Sequence, residues 1–274
     1  GYLSLGLIEQ ALKENVLKYE NIETIYGTSI GSFLAILVSL KMNIDDLVNY
    51  CNNRHLGNFA KFDSSILTKV VYEKGIYDEN TVIELLSPPL LSCDLNIDTT
   101  LKQLYEYSGI KVSLITTKID GLKYVELNHI TFPDLKVSTA ITMSCSIPIM
   151  FKPICIDNIH YIDGGITMNT PLSLCIRNEN CNINEVFGII ESPISKLNLH
   201  TDSLLEYLFA LLMTFIFANQ TDVNEDIDIS NNYIYQIPSG IDTRLHAVVA
   251  TEYRNKLYKQ GKKLYFNKYL EIEM

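Results

Sequence analysis

The stretch from Ile22 to Leu40 constrains the fold more than any other part of the chain. A short β-prone run, Ile22 to Tyr26, passes through Gly27-Thr28-Ser29-Ile30-Gly31 into Phe33, Leu34, Ile36, Leu37, Val38 and Leu40. A helix that is apolar nearly all round belongs in a buried position. A strand that feeds such a helix through a glycine-flanked serine puts the hydroxyl on a sharp turn, clear of its neighbours. The plain alternative is a helix N-terminus with Ser29 as its cap. The strand before, the apolar helix after and the two small flanking residues favour an exposed nucleophile on a strand-to-helix elbow.

The remaining pattern alternates helices with apolar strands. Leu3, Leu7, Ile8, Leu12 and Val16 recur at helical spacing, so Leu3 to Leu17 reads as an amphipathic helix. Residues 44 to 107 read as shorter helices broken at Gly75 and Pro88-Pro89. Lys111 to Thr117 and Lys123 to Leu127 read as strands joined at Asp120-Gly121, a hairpin signal. A helix over Pro133 to Met143 leads to an extended Ile147 to Ile156 and a strand end at Tyr161-Ile162. Val186 to Ile190 and Tyr233 to Ile237 are further strands, and a helix from about Ala247 to Leu270 closes the chain. The alternation predicts a layered α/β fold with a mostly parallel sheet. No linker, repeat or low-complexity stretch interrupts it, so residues 1–274 are expected to form one domain.

Charge and cysteine usage exclude several functions. The 274 residues carry a net charge of −10, which argues against nucleic-acid binding. Cys51, Cys93, Cys145, Cys155, Cys175 and Cys181 are scattered, with neither metal-ligand spacing nor the density of a disulfide scaffold. No metal and no cofactor are expected, and reduced thiols point to a cytoplasmic setting. The longest apolar run, Tyr207 to Ala218, is too short to cross a bilayer.

Asp163-Gly164-Gly165 is the second candidate site. By itself it reads as a turn in which the carboxylate accepts backbone hydrogen bonds. Its surroundings sharpen it: Ser144-x-Ser146-x-Pro148-x-x-Phe151-x-Pro153 stands upstream and Asn169-x-Pro171 downstream. In this order and at these separations, the motifs resemble those of the patatin-like phospholipases. The likeness extends to Leu5-Gly6-Leu7-Ile8-Glu9-Gln10-Ala11-Leu12 in the first helix and to a C-terminal helix carrying Gly261. It implies a three-layer α/β/α patatin-like fold.

The resemblance also implies a calcium-independent lipid acyl hydrolase with Ser29 as nucleophile and Asp163 as general base. Gly27, Ile30, Gly31, Gly164 and Gly165 fall on supporting positions, and Ser144, Pro148, Pro153, Asn169 and Pro171 on structural ones. Substrates would be phospholipids, lysophospholipids or other lipid esters, met by transient, peripheral contact with a membrane surface. The family's glycine-rich oxyanion loop, G-G-G-x-[KR]-G, precedes its first helix, and Gly1 matches only its last glycine. The intact protein is expected to carry the rest, because one oxyanion donor is worth about 2.7–4 kcal/mol. The N–H of Ile30 is a further oxyanion candidate. A free aspartate, with a pKa of about 3.9, is a weak base. An apolar wall would strengthen it, and Met143, Ile147, Ile149, Phe151, Ile162 and Ile166 suit either such a wall or an ordinary core.

Other readings compete. An α/β-hydrolase triad of Ser29, Asp163 and His200 or His246 has the right order, but too few strands precede the serine. An acyl-carrier acyltransferase usually shows histidine where Thr28 stands. A non-catalytic lipid-binding scaffold on the same fold is the principal alternative. The 203–218 helix reads first as core and second as a lid over an acyl groove. Arg254, Lys256, Lys259, Lys262, Lys263 and Lys268 read first as a solvated helix face and second as a contact for anionic headgroups.

Overall fold

The computed structural model describes residues 1–54, 69–192, 207–208, 211–214, 216, 233–238 and 250–273. The chain divides into two compact units, Gly1–Asn21 with Asn43–Lys61 and Leu172–Met274, and Ile22–Met42 with Phe62–Pro171.

The second unit holds the motifs. Its elements are β1 (Thr24–Thr28), α2 (Ile30–Ser39), β2 (Gly75–Tyr77), α4 (Glu79–Leu91), α5 (Leu101–Ser108), β3 (Lys111–Lys118) and β4 (Lys123–Leu127). α6 (Val137–Cys145), β5 (Ile149–Phe151), β6 (Ile154–Ile156) and β7 (Ile159–Asp163) complete it. β3 is the spine of a five-stranded sheet and is buried over six consecutive residues, Val112 to Thr117. α2 packs on β1 and β3, while α6 packs on β3 and β7.

The expected mostly parallel sheet gives way to one of mixed orientation. β1 runs parallel to β3, but β4 and β7 run antiparallel to β3, and β6 antiparallel to β7. Two tight turns account for two of the three antiparallel pairs. Asp120-Gly121 closes β3–β4, with Leu122 N–H donating to Ile119 O at 3.1 Å. Asp157-Asn158 closes β6–β7 with φ of 50° and 63°, the left-handed pair that a two-residue hairpin requires. β2 and β5 form a separate parallel pair.

The register along β3 places two strand ends together. Leu114 to Lys118 pair with β4 along one edge. A strand has two edges, so β1, opposite Lys111 to Ile115, and β7, opposite Thr116 to Lys118, share the other. β1 runs with β3 and β7 against it, so their C-terminal ends approach head-on. Thr28 stands opposite Ile115 and Asp163 opposite Thr116, neighbours about 3.4 Å apart along the strand.

One expected break is absent: α4 continues through Pro88 and Pro89. Each proline withholds its own N–H from the ladder, but its fixed φ suits a helix and the burial of this turn carries the helix through. Leu86, Pro89 and Leu90 are buried there.

The first unit is built on α1 (Tyr2–Lys13), α3 (Ile44–Asn53), α7 (Leu172–Glu179), the parallel pair β8 (Gly188–Ser192) and β9 (Ile234–Pro238), and α8 (Thr251–Glu273). Leu3, Leu7, Ala11, Tyr235, Ile237 and Tyr265 form its core. α1 and α8 cross at glycines: a Cβ on Gly6 would lie 2.3 Å from Tyr258 O, and one on Gly261 2.1 Å from Leu3 O. Glu9, buried in the crossing, pairs with Lys13 at 2.7 Å and Lys262 at 3.2 Å and accepts the Tyr258 hydroxyl. Burial pushes the Glu9 carboxyl upward, but the bonds from Lys13, Tyr258 and Lys262 outweigh it and hold it below its ordinary value.

The expected basic face of α8 is divided. Lys256, Lys259 and Lys263 are exposed, whereas Arg254 is buried, Lys262 turns to Glu9 and Lys268 donates to Ile234 O. Of the 203–218 helix, the described positions 207–208, 211–214 and 216 are helical; Met213 and Ile216 are buried, Tyr207 and Leu208 exposed. His200, Phe215, Phe217 and His246 lie outside the described residues. Among the described residues, no helix is long and apolar enough to cross a membrane.

Candidate active site

Ser29 sits between β1 and α2 with φ 53° and ψ −127°, a conformation L-residues rarely adopt and one that costs about 1–3 kcal/mol. Ser29 is the N-cap of α2 by position, but its side chain makes no capping bond. The turn is held from three sides. Gly27 is pressed so closely beneath α2 that a Cβ there would lie 2.6 Å from Gly31 O. Ser29 N–H donates to Ser144 Oγ at 3.0 Å. Thr28 Oγ1 donates to Met168 O at 3.0 Å, tying the strand end to the segment after Asp163.

The Ser144 hydroxyl donates to Ile115 O. Its oxygen accepts Ser29 N–H and lies 2.6 Å from Ser32 Oγ, which donates to Gly27 O at 2.9 Å. Ser144 therefore links Ser29, α2 and the central strand. Both Ser32 and Ser144 are fully buried. Ser32 escaped the sequence reading, although a serine on the buried face of an apolar helix is a usable signal.

Asp163 is 1% exposed, at the end of β7. Its Oδ1 accepts Gly165 N–H at 2.7 Å, and its own N–H donates to Ser146 O at 2.9 Å. Thr117 Oγ1 lies 2.8 Å from Asp163 O and from Thr167 Oγ1. Gly164 is required sterically, because a Cβ would lie 2.2 Å from Ile115 O and 3.0 Å from Thr28 Cγ2. That contact joins the two motifs: Thr28 precedes Ser29, and Gly164 follows Asp163. Burial, with Asp163 as a second cause, holds the Cys145 thiol well above its ordinary value, so this cysteine stays protonated.

Not every residue of the two motifs is needed by the packing. A Cβ at Gly31 would meet nothing within 4 Å, so the unit itself does not require glycine there. Gly1 is the N-cap of α1 in the first unit, where its carbonyl accepts Leu5 N–H at 2.9 Å. The first turn of α2 is also more open than a central helix should be. Ile30 is 49% exposed, and Phe33 and Leu34 are half-buried on the same face. Ile147, Ile149, Phe151, Ile162 and Ile166 are half-buried, whereas Met143 belongs to the core. Pro148, Pro153, Asn169 and Pro171 are half-buried on the segments flanking β5 and the glycine pair.

A strained serine thus stands on a strand-to-helix elbow, and a buried carboxylate ends the strand that converges on it. The family described as Patatin-like phospholipase matches residues 1–176, and the chain belongs to that family. "Probable lipid hydrolase 463L" of Invertebrate iridescent virus 6 is 25% identical over 178 residues, 62% of this chain and 59% of that protein. "Uncharacterized protein R571" of Acanthamoeba polyphaga mimivirus is 25% identical over 177 residues, 64% of this chain and 57% of that one. Among solved structures, VipD from Legionella pneumophila matches with a TM-score of 0.51 and 14% identity, over 97% of this chain and 65% of VipD. The type III effector ExoU matches with a TM-score of 0.50 and 14% identity, over 99% of this chain and 51% of ExoU. The chain thus spans less than two thirds of each of these proteins. At such low identity the two structures speak for the fold alone.

Proposed function

We propose that the chain is a lipid acyl hydrolase that cleaves fatty acyl esters of phospholipids or lysophospholipids through an acyl-enzyme on Ser29, with Asp163 as general base. The observation that carries this reading is the head-on approach of β1 and β7 along β3, with Thr28 and Asp163 opposite consecutive residues. The family segment draws on both compact units, which favours treating residues 1–274 as a single patatin-like domain.

In the proposed reaction Ser29 Oγ attacks the ester carbonyl as its proton passes to the Asp163 carboxylate. The tetrahedral intermediate collapses, the lysolipid or alcohol oxygen leaves with that proton, and water then releases the fatty acid by the reverse sequence. Ser29 N–H is already engaged by Ser144. The N–H groups of Ile30 and Gly31, in the first turn of α2, have no intrahelical carbonyl and face the helix N-terminus. They are the oxyanion donors this turn offers, beside the glycine-rich loop that the family places before its first helix. The missing Cβ at Gly31 leaves room for the ester, and the exposed face of Ile30, Phe33 and Leu34 suits an acyl chain.

Lipid product analysis with wild type, Ser29→Ala and Asp163→Asn tests the assignment. Free fatty acid from wild type and about 10³-fold less from either variant is the expected result. A fluorophosphonate that labels wild type but not Ser29→Ala would support it further. Silence of the wild type toward both lipids and label would make the chain a lipid-binding scaffold instead.

A further inference from the structure

In the first unit, the start of α8 holds a charge the proposed chemistry does not use. Arg254 is 1% exposed, yet its Nε and Nη1 make no hydrogen bond. Only Nη2 is engaged, donating to Thr251 Oγ1 at 2.7 Å, and the guanidinium carbon lies 5.9 Å from the Tyr2 ring centroid. Removing a guanidinium from water without hydrogen-bonding its donors is strongly unfavourable. Its neighbours are neutral or positive. Burial raises the Tyr2 hydroxyl, and the charge of Arg254, a hydrogen bond from it and the charge of Arg54 pull against that rise. Burial likewise pushes the Cys51 thiol up to about 12 against the pull of Arg254. Among the described residues no carboxylate acts on either group, and Glu252, the acidic residue in the first turn, is exposed.

What converges here is a set of donors. Arg254 supplies Nε–H and the Nη1 hydrogens, and Thr251, accepting from Nη2, keeps its own O–H to give. Thr251, Glu252 and Tyr253 occupy the first turn of a 23-residue helix, where backbone N–H groups lack intrahelical partners and the helix dipole is positive. A site made of donors and positive charge takes a group that only accepts. We infer that Arg254, Thr251 and the N-terminus of α8 form a binding site for a phosphate oxyanion, separate from the residues assigned to ester cleavage. Several oxygens on one centre can meet the planar guanidinium and the helix N–H groups together, which a chloride cannot.

The test is thermal unfolding of the full chain with inorganic phosphate at constant ionic strength, with chloride as reference. A saturable rise of about 5 °C at a hundredfold excess over Kd is expected for wild type. Arg254→Met should abolish the response and unfold no earlier than wild type in phosphate-free buffer, since it removes an uncompensated buried charge. Thr251→Val, which keeps the guanidinium, should raise the phosphate concentration needed about tenfold. Phosphatidylcholine vesicles with and without phosphatidic acid separate the sources. Protection by phosphatidic acid alone, lost in Arg254→Met, supports the site with a lipid headgroup as occupant. The inference is overturned if neither probe stabilises wild type, or if the response survives in Arg254→Met. It is also overturned if Arg254→Met lowers the melting temperature in phosphate-free buffer. That last result would mean that a carboxylate of the chain itself already neutralises Arg254.

Discussion

Replacing Ser144 with alanine removes one oxygen that three groups use at once. Ser29 N–H loses its acceptor at 3.0 Å, Ser32 loses a partner at 2.6 Å, and Ile115 O loses a donor. Each buried group left unsatisfied costs about 1–3 kcal/mol. Ser32 can fall back on Gly27 O at 2.9 Å, which leaves two orphans and an expected destabilisation of about 3 kcal/mol. The catalytic consequence is separable. Ser29 is held at φ 53° and ψ −127° partly by that N–H bond, and the conformation itself costs about 1–3 kcal/mol. Without the bond the serine can relax away from the attack geometry, so kcat should fall about ten- to a hundredfold with KM little changed. The assay is turnover of a short soluble ester together with the rate of fluorophosphonate labelling, at a temperature where both proteins are fully folded. Ser32→Ala is the control: its side chain lies in the same network without bonding Ser29, so its loss should cost stability with a smaller loss of kcat. A Ser144→Ala enzyme that melts earlier yet turns over within twofold of wild type would refute the reasoning.

Three further outcomes follow from the geometry. Gly27→Ala should destabilise by about 3 kcal/mol in denaturant titration, since its Cβ would meet Gly31 O at 2.6 Å and Ser32 Cα at 2.9 Å. Gly31→Ala, with open space around it, should instead gain about 0.5–1 kcal/mol of helix stability while slowing labelling of Ser29. Glu9 titrates below its ordinary value when folded, so its contribution is present above the unfolded pKa and is lost as pH falls through the folded one. Unfolding followed from pH 6 downward should therefore show a weaker acid limb in Glu9→Gln than in wild type. Gly261→Ala should cost about 3 kcal/mol, because its Cβ would lie 2.1 Å from Leu3 O at the α1–α8 crossing, and a calorimetric melt would show it.

The local geometry of the two motifs was legible in the sequence because it is written in residue identity. The glycine-flanked serine does stand on a strand-to-helix turn, and Asp163 does accept a backbone N–H within its glycine pair. The β3–β4 hairpin was legible for the same reason, since Asp120-Gly121 is a turn signal. Asp157-Asn158 makes an equally tight turn without glycine, so that hairpin and the mixed sheet it creates were missed. Pro88-Pro89 misled in the opposite direction, because tertiary packing of Leu86 and Leu90 carries the helix past them. The basic stripe of α8 looked like surface, and sequence spacing could not reveal that Arg254 and Lys262 face inward. The role of Ser144 depended on a partner 115 positions away. No local pattern encodes that distance.

The head-on strands also bear on how such a chain can change. A single backbone, that of β3, sets the spacing of the two strand ends, and the loops between the two motifs hang outside that gauge. Those loops can therefore lengthen, shorten or be exchanged without shifting Thr28 or Asp163, provided the ladder from Leu114 to Lys118 keeps its pairing. One slipped residue in that ladder would do what no loop insertion could.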